Sequence, residues 1–290
     1  MAHDIKHTQL TRLGYNYQDL VCLEILIYWF HDPDLYQWVR VESDSPEFFS
    51  LDDVVALTTN NKFELLQVKF TIDASREDLS LDFDWLLAKK KNGTSLIQKW
   101  SKDVESHIKH NDLSLAALKT NRIPDENFRS YLNGHFLDKN LVPKSILKLI
   151  DDQLGTRQVT LRFLENFEFH HSLPCIDRLE NKLHDSVVPD HTNDEGWFRF
   201  QKSVKHWATR KNQPNENGNI YIENVREILD VKSSRSISQY FEVPKGYIPP
   251  SEQFHSKIIT KISNVENFVI SGATKIRKST YLSFLNDHLL

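Results

Sequence analysis

The feature that most limits how this chain can fold is a pair of β-type runs joined by Asn60-Asn61. Leu51 to Thr59 (LDDVVALTT) turns β-branched after two aspartates, and Lys62 to Phe70 (KFELLQVKF) is the returning run. A short Asn-rich turn between two such runs predicts a hairpin. Leu35 to Glu42 (LYQWVRVE) alternates and ends in an acid, adding a third strand before it. Upstream, residues 11–31 carry Leu20, Leu23, Ile27 and Phe30 at helical spacing, with Gly14 and Tyr15 at the entrance and Pro33 just past the end. Downstream, 81–110 reads as helix broken near Gly93 and 113–121 (LSLAALKTN) as a strand. Pro124 opens another helix to about Leu132. Helix, three strands, helix, strand, helix is an α/β sandwich around one small sheet.

From about 143 to 235 the pattern is mainly helical. Ile146, Leu149 and Ile150 suggest one helix, and 161–169 (LRFLENFEF) reads as a strand. Residues 173–187 and 196–210 read as amphipathic helices, the second with Trp197, Phe200, Val204 and Trp207 on one face. A polar loop at 211–219 precedes a short strand and helix over 220–229. Proline-containing FEVPKGYIPP (241–250) marks a linker, which gives three parts: a core over 1–140, a helical elaboration over 141–240 and a last element over 241–290.

Composition removes several classes. At 290 residues, with 39% hydrophobic and 26% charged residues, the chain is neither disordered, collagen-like nor a disulfide scaffold. A formal charge of -4 gives no global attraction to nucleic acid, so any DNA contact needs a local basic patch. Two cysteines, Cys22 and Cys175, suit a reducing compartment. With no long apolar stretch and no signal-peptide pattern at the start, the expectation is a cytoplasmic protein that does not enter a membrane.

The informative residues sit on the hairpin. Residues two apart on a strand share a face, so Gln67 and Lys69 point one way while Leu66, Val68 and Phe70 point the other. An amphipathic strand alone would read the same. Asp53 on the neighbouring strand adds a carboxylate opposite this Gln-x-Lys. An acid and an amide oxygen suit a hard cation such as Mg²⁺ or Mn²⁺, and a lysine suits the charge of a phosphoryl transition state. Glu64 falls on the opposite face and reads as a solvated strand residue. Lys89-Lys90-Lys91 reads as a solvated helix face or a phosphate contact, and His170-His171 as structural or surface residues.

This D…QxK pattern resembles the PD-(D/E)xK nuclease superfamily in its Gln-x-Lys variant. GYNYQ (14–18), VRVESDSPEFFSLDDVV, LLQVKF and LAALKTNRIP occur in order and are similar to one branch, the double-stranded DNA endonuclease domain of CBASS effectors. That domain also opens many antiviral STAND NTPases. The resemblance spans roughly residues 10–230. It implies a restriction-endonuclease-like core, with Asp53 as metal-binding aspartate, Gln67 in place of the usual acid and Lys69 as catalytic lysine. It makes Gln18, Glu42 and Asp52 accessory candidates; strand alternation lets only one of Asp52 and Asp53 face the site, and the β-branched run directly after Asp53 favours Asp53. It further implies double-stranded DNA as substrate, antiviral defence as setting, and a dimer or larger homo-oligomer to cut both strands. The alternative is a non-catalytic DNA-binding or regulatory module on the same fold.

Near the C-terminus, FVISGATKIRKSTYLSFL follows a strand-like run and opens a helix, as a phosphate-binding loop does. Gly272, Lys278 and Ser279 match the G-x-x-x-x-G-K-[ST] template, but Arg277 occupies the second glycine's place. The expectation is a truncated or decayed P-loop element that does not hydrolyse ATP, with any sensor or NTPase portion on a separate or missing segment. A nucleotide switch built on Lys278 is the remaining reading of that tail.

Overall fold

The computed structural model describes residues 7–89, 93–210 and 213–229, all within one compact unit ending at Leu229. The linker and P-loop element expected over 241–290, with Gly272, Lys278 and Ser279, lie outside the described residues, as do Lys90 and Lys91.

Helix α1 (His7–His31) leads into strands β1 (Tyr36–Val41), β2 (Val54–Thr58) and β3 (Phe63–Lys69). Then come α2 (Phe83–Leu87), α3 (Leu96–His110), β4 (Leu113–Thr120) and α4 (Glu126–Ser130). A small hairpin, β5 (Leu132–Asn133) and β6 (Phe136–Leu137), precedes α5 (Lys144–Leu154), α6 (Arg157–Asn166) and β7 (Phe167–His170). The described chain closes with α7 (Ile176–Val187), α8 (Asp194–Ala208) and α9 (Ile222–Leu229).

The main sheet has five strands in the order β1-β2-β3-β4-β7. The first three form an antiparallel meander, whose β2–β3 turn places Asn61 at φ +58. Strands β4 and β7 run parallel to β3. Parallel neighbours need a long crossover. The segment containing α3 supplies it between β3 and β4, and that containing α5 and α6 between β4 and β7.

Strand alternation divides the core between the two faces of this sheet. Val54, Leu66, Val68 and Ala117 pack against α1. Val55, Leu65, Ala116 and Leu118 pack against Ile97, Trp100 and Val104 of α3 and against the aromatic side chains of α6 and β7. Helix α1 is buried through Leu20, Val21, Cys22, Leu23, Ile25, Leu26 and Ile27 because it also contacts α7 and α8. The expected face of Trp197, Phe200, Val204 and Trp207 is the buried face of α8. Cys22 is buried and free, whereas Cys175 is exposed.

Four local expectations change. The run 161–169 is mostly helix, not strand. Thr156 caps α6 by accepting from the Val159 amide at 3.3 Å, and Thr160, Phe163 and Leu164 bury one helical stripe. The aromatic-rich composition masked that 3.6-residue period, and strand pairing begins only at Phe167. Helix α1 starts at His7, so Gly14 and Tyr15 lie within it rather than at its entrance. The helix after Pro124 stops at Ser130, and Gly134-His135 turns the β5–β6 hairpin with Gly134 at φ +61. The strand expected at residue 220 is a single antiparallel bridge from Ile220 to Val39. Among the described residues no helix is long and apolar enough to cross a membrane.

Candidate active site

The hairpin register pairs Val54 with Leu66, which brings Asp53, one residue before β2, opposite Gln67 near the end of β3. Asp53 is only 8% exposed. Its Oδ2 accepts from Gln67 Nε2 and from the Val68 amide at 2.6 Å, and Lys69 Nζ lies 3.9 Å away. The Lys69 side chain is 36% exposed, so it forms the solvent-facing side of the group. On its other side Gln67 Oε1 accepts from Trp100 Nε1 at 3.4 Å. An indole N–H can only donate and a carboxylate only accept, so these two partners fix the amide's orientation.

Burial pushes the Asp53 carboxyl up to about 6. The Lys69 charge, the Val68 amide and the Gln67 amide pull it back, while the Glu42 charge pushes it further up. This acid is held in a desolvated place that raises the cost of its charge, with one cation at the rim.

Two loops are held so that these groups meet. Asp103 of α3 is fully buried and accepts from the amides of Phe49 and Ser50 at 2.8 Å and of Leu51 at 2.9 Å. This clamp fixes the segment that delivers Asp52 and Asp53. Burial pushes the Asp103 carboxyl up and the three amides pull it back. Beyond β3, the Asn121 side chain receives the Thr71 amide at 2.8 Å and donates to the Thr71 carbonyl at 2.6 Å. It ties the chain just past Lys69 to the end of β4. Neither Asp103 nor Trp100 was singled out by the sequence reading. Asp103 falls in the inward stripe of Ile97, Trp100, Val104 and His107, and an acid in such a stripe is the signal that points to it.

The accessory candidates separate. Gln18 is buried and its Nε2 donates to Glu42 Oε1 at 2.6 Å, so it acts on Asp53 through Glu42. Glu42 follows β1 at φ +48, an uncommon conformation for this residue type, and its amide donates to the Asp53 carbonyl at 3.1 Å. Asp53 rather than Asp52 faces Gln67. Asp52 is half-buried; burial pushes its carboxyl up, and Lys69 and Lys99 pull it back. Beside Gln18 and Glu42 opens a cleft of about 510 Å³, bordered also by Tyr15, Asp19, Lys205 and Thr209. Burial pushes Asp19 up to about 6, with Lys205 pulling it down and Glu42 pushing it up.

Other residues resolve as structure. Glu64, expected to be solvated, is half-buried and accepts from Tyr36 Oη at 2.7 Å, because it faces the α1 side of the sheet. His170 stacks on His135 with ring centroids 4.1 Å apart and pairs with Glu168 at 2.7 Å. Lys89 is exposed.

Among the described residues no group of three or more His, Cys, Asp or Glu side chains is arranged to hold a metal. The donors at the sheet end nonetheless suit a hard cation in kind. Asp53 is a desolvated carboxylate that a cation would stabilise, and Glu42 brings a second negative charge into its field. The Gln67 amide oxygen faces Trp100 in this arrangement and would join them only after the amide rotates. No protein-family model matches the chain, and no curated protein matches its sequence.

Proposed function

We propose that the chain is a metal-dependent endonuclease that hydrolyses the phosphodiester backbone of double-stranded DNA. On this reading its sheet is a restriction-endonuclease-like core of the PD-(D/E)xK type in the Gln-x-Lys form. The observation that carries the proposal is the convergence of Gln67, Lys69 and the Val68 amide on one oxygen of Asp53. The chain order supports it too: a helix, an antiparallel meander, then a helical crossover to a parallel strand.

Asp53, Glu42 and a rotated Gln67 would hold Mg²⁺ or Mn²⁺. A bound divalent cation supplies an acidified water and neutralises charge on the phosphoryl oxygens. Lys69, at the exposed rim, orients the scissile phosphate and offsets the charge that grows on it during attack. Asp103 keeps the Asp53 segment in place, and Trp100 holds the Gln67 amide in the orientation it takes without a cation. Gln18 fixes the Glu42 carboxylate. The same reading makes the chain an effector of prokaryotic antiviral defence, active as a dimer or higher homo-oligomer because one such site cuts one strand.

Supercoiled plasmid incubated with Mg²⁺ or Mn²⁺ tests the assignment. The native chain should convert it to nicked and linear forms, and Lys69→Ala should lose that activity by roughly 100-fold or more. Equal cutting by both removes Lys69 from the site. The amide nitrogen of Gln67, turned toward Asp53, favours a second reading, a DNA-binding module without catalysis. Plasmid binding without cutting by either protein would select it.

A further inference from the structure

The two flanks of the Asp53 group differ in charge. On the α1–α8 side the 510 Å³ cleft presents Asp19 and Glu42 against a single lysine, Lys205. On the α2–α3 side Lys89 and Lys99 line a cleft of about 330 Å³ with Trp85 and Thr94. The charges of Lys99 and Lys69 both reach Asp52, the acid next to Asp53. Farther along α3, Lys102 is exposed, and Glu105 is neutralised by a two-pronged pair with Arg162, its Nε at 2.7 Å. The inner face of the same helix carries Trp100 and Asp103, which hold the site. Lys99, adjacent to Trp100 in sequence, is therefore fixed in register with the Asp53 group.

We infer that a DNA duplex reaches the site across the α2–α3 flank, with its phosphates on Lys69, Lys99 and Lys89, and not across the α1–α8 flank. This inference rests on the nuclease reading and names the surface that reading leaves open. The reason is electrostatic. A duplex is a dense polyanion, and its affinity comes from lysines and arginines that replace its counterions. The Asp19–Glu42 side opposes that polyanion, whereas the Lys89–Lys99 side attracts it, with no acid among the described residues that line its cleft. Phosphate contacts of this kind fix position and carry no base preference, so the surface serves an enzyme indifferent to sequence.

The test is fluorescence anisotropy with a labelled DNA duplex in EDTA, repeated over a range of salt, with plasmid cleavage in Mg²⁺ measured alongside. The native chain is compared with Lys89→Ala/Lys99→Ala, with Lys99→Glu and with Lys202→Ala on the exposed side of α8. All of these side chains are exposed, and thermal melts verify that the variants fold. The double variant should lower the salt slope of log K by about 2, equally for unrelated sequences. Lys99→Glu should weaken binding further, and Lys202→Ala should match the native chain. If the native chain cuts plasmid while the double variant binds and cuts equally well, the flank assignment is overturned and the nuclease reading stands. If the native chain neither binds nor cuts a duplex, both are overturned.

Discussion

The two faces of the sheet hold the same strand end by different means. On the α3 face, Gln67 joins Asp53 to a neutral indole, and the one buried acid of α3, Asp103, is spent on backbone amides. On the α1 face, charged side chains pair across the core. Glu24 of α1 meets Lys119 of β4 at 3.1 Å and Lys182 of α7 at 3.2 Å, and Glu64 takes the Tyr36 hydroxyl. A carboxylate that satisfies three amides is hard to replace, because the Leu51 amide stays buried when it is removed. A carboxylate paired with two lysines leaves partners that can turn toward water, and Lys182 is already 56% exposed. The α3 face should therefore be the more sensitive of the two.

That contrast can be broken by stability measurements. Asp103→Ala should have the largest effect, a loss of about 3 kcal/mol in urea unfolding, since it strands the buried Leu51 amide and releases those of Phe49 and Ser50. Glu24→Ala should cost about 2 kcal/mol, because its partners keep some access to water. Equal losses would remove the distinction between the faces.

Asp53→Asn should act in the opposite direction. The folded carboxyl is raised to about 6 from its ordinary 3.8, so protonation favours the folded state. The stability it contributes is fully present below pH 4 and is lost as pH rises through about 6. A shift of this size corresponds to about 3 kcal/mol, and it already includes what the ionised acid gains from Lys69 and its amide donors. Asp53→Asn should therefore raise the midpoint of thermal unfolding at pH 8, by an amount worth about 1–2 kcal/mol, and lose that advantage at pH 4. An acid kept only for structure would make the same variant less stable at pH 8.

The smallest expected change is from Trp100→Phe. It keeps most of the buried ring and removes the N–H donated to Gln67, so stability should fall by about 1 kcal/mol. Cleavage should fall less than that loss suggests, because a Gln67 amide released from the indole turns its oxygen toward a cation more readily. Parallel assays of melting and plasmid cutting on the one variant separate the two effects.

Much of the sheet was legible in the sequence because its signals are local. Asn60-Asn61 marked the turn, and period-two alternation assigned Gln67 and Lys69 to one face. The β-branched run after Asp53 favoured it over Asp52, and the register then set it opposite Gln67. What the sequence hid depends on distant partners. Asp103 lies 52 residues from Leu51 along the chain, and only the packing of α3 on the sheet shows that the acid receives that amide. The strand-like reading of 161–169 failed because aromatic residues serve both a buried helix and a buried strand. Glu42 read as a strand end, but its left-handed backbone takes it out of the alternation that a strand would impose.

The most direct measurement of the central claim is Mn²⁺ binding followed by electron paramagnetic resonance, with Mg²⁺ as competitor and no DNA present. The native chain should take up Mn²⁺ that Mg²⁺ displaces, and Asp53→Asn, although folded, should not. Equal Mn²⁺ uptake by the two proteins, or none by the native chain, would contradict a cation held at the Asp53 carboxylate.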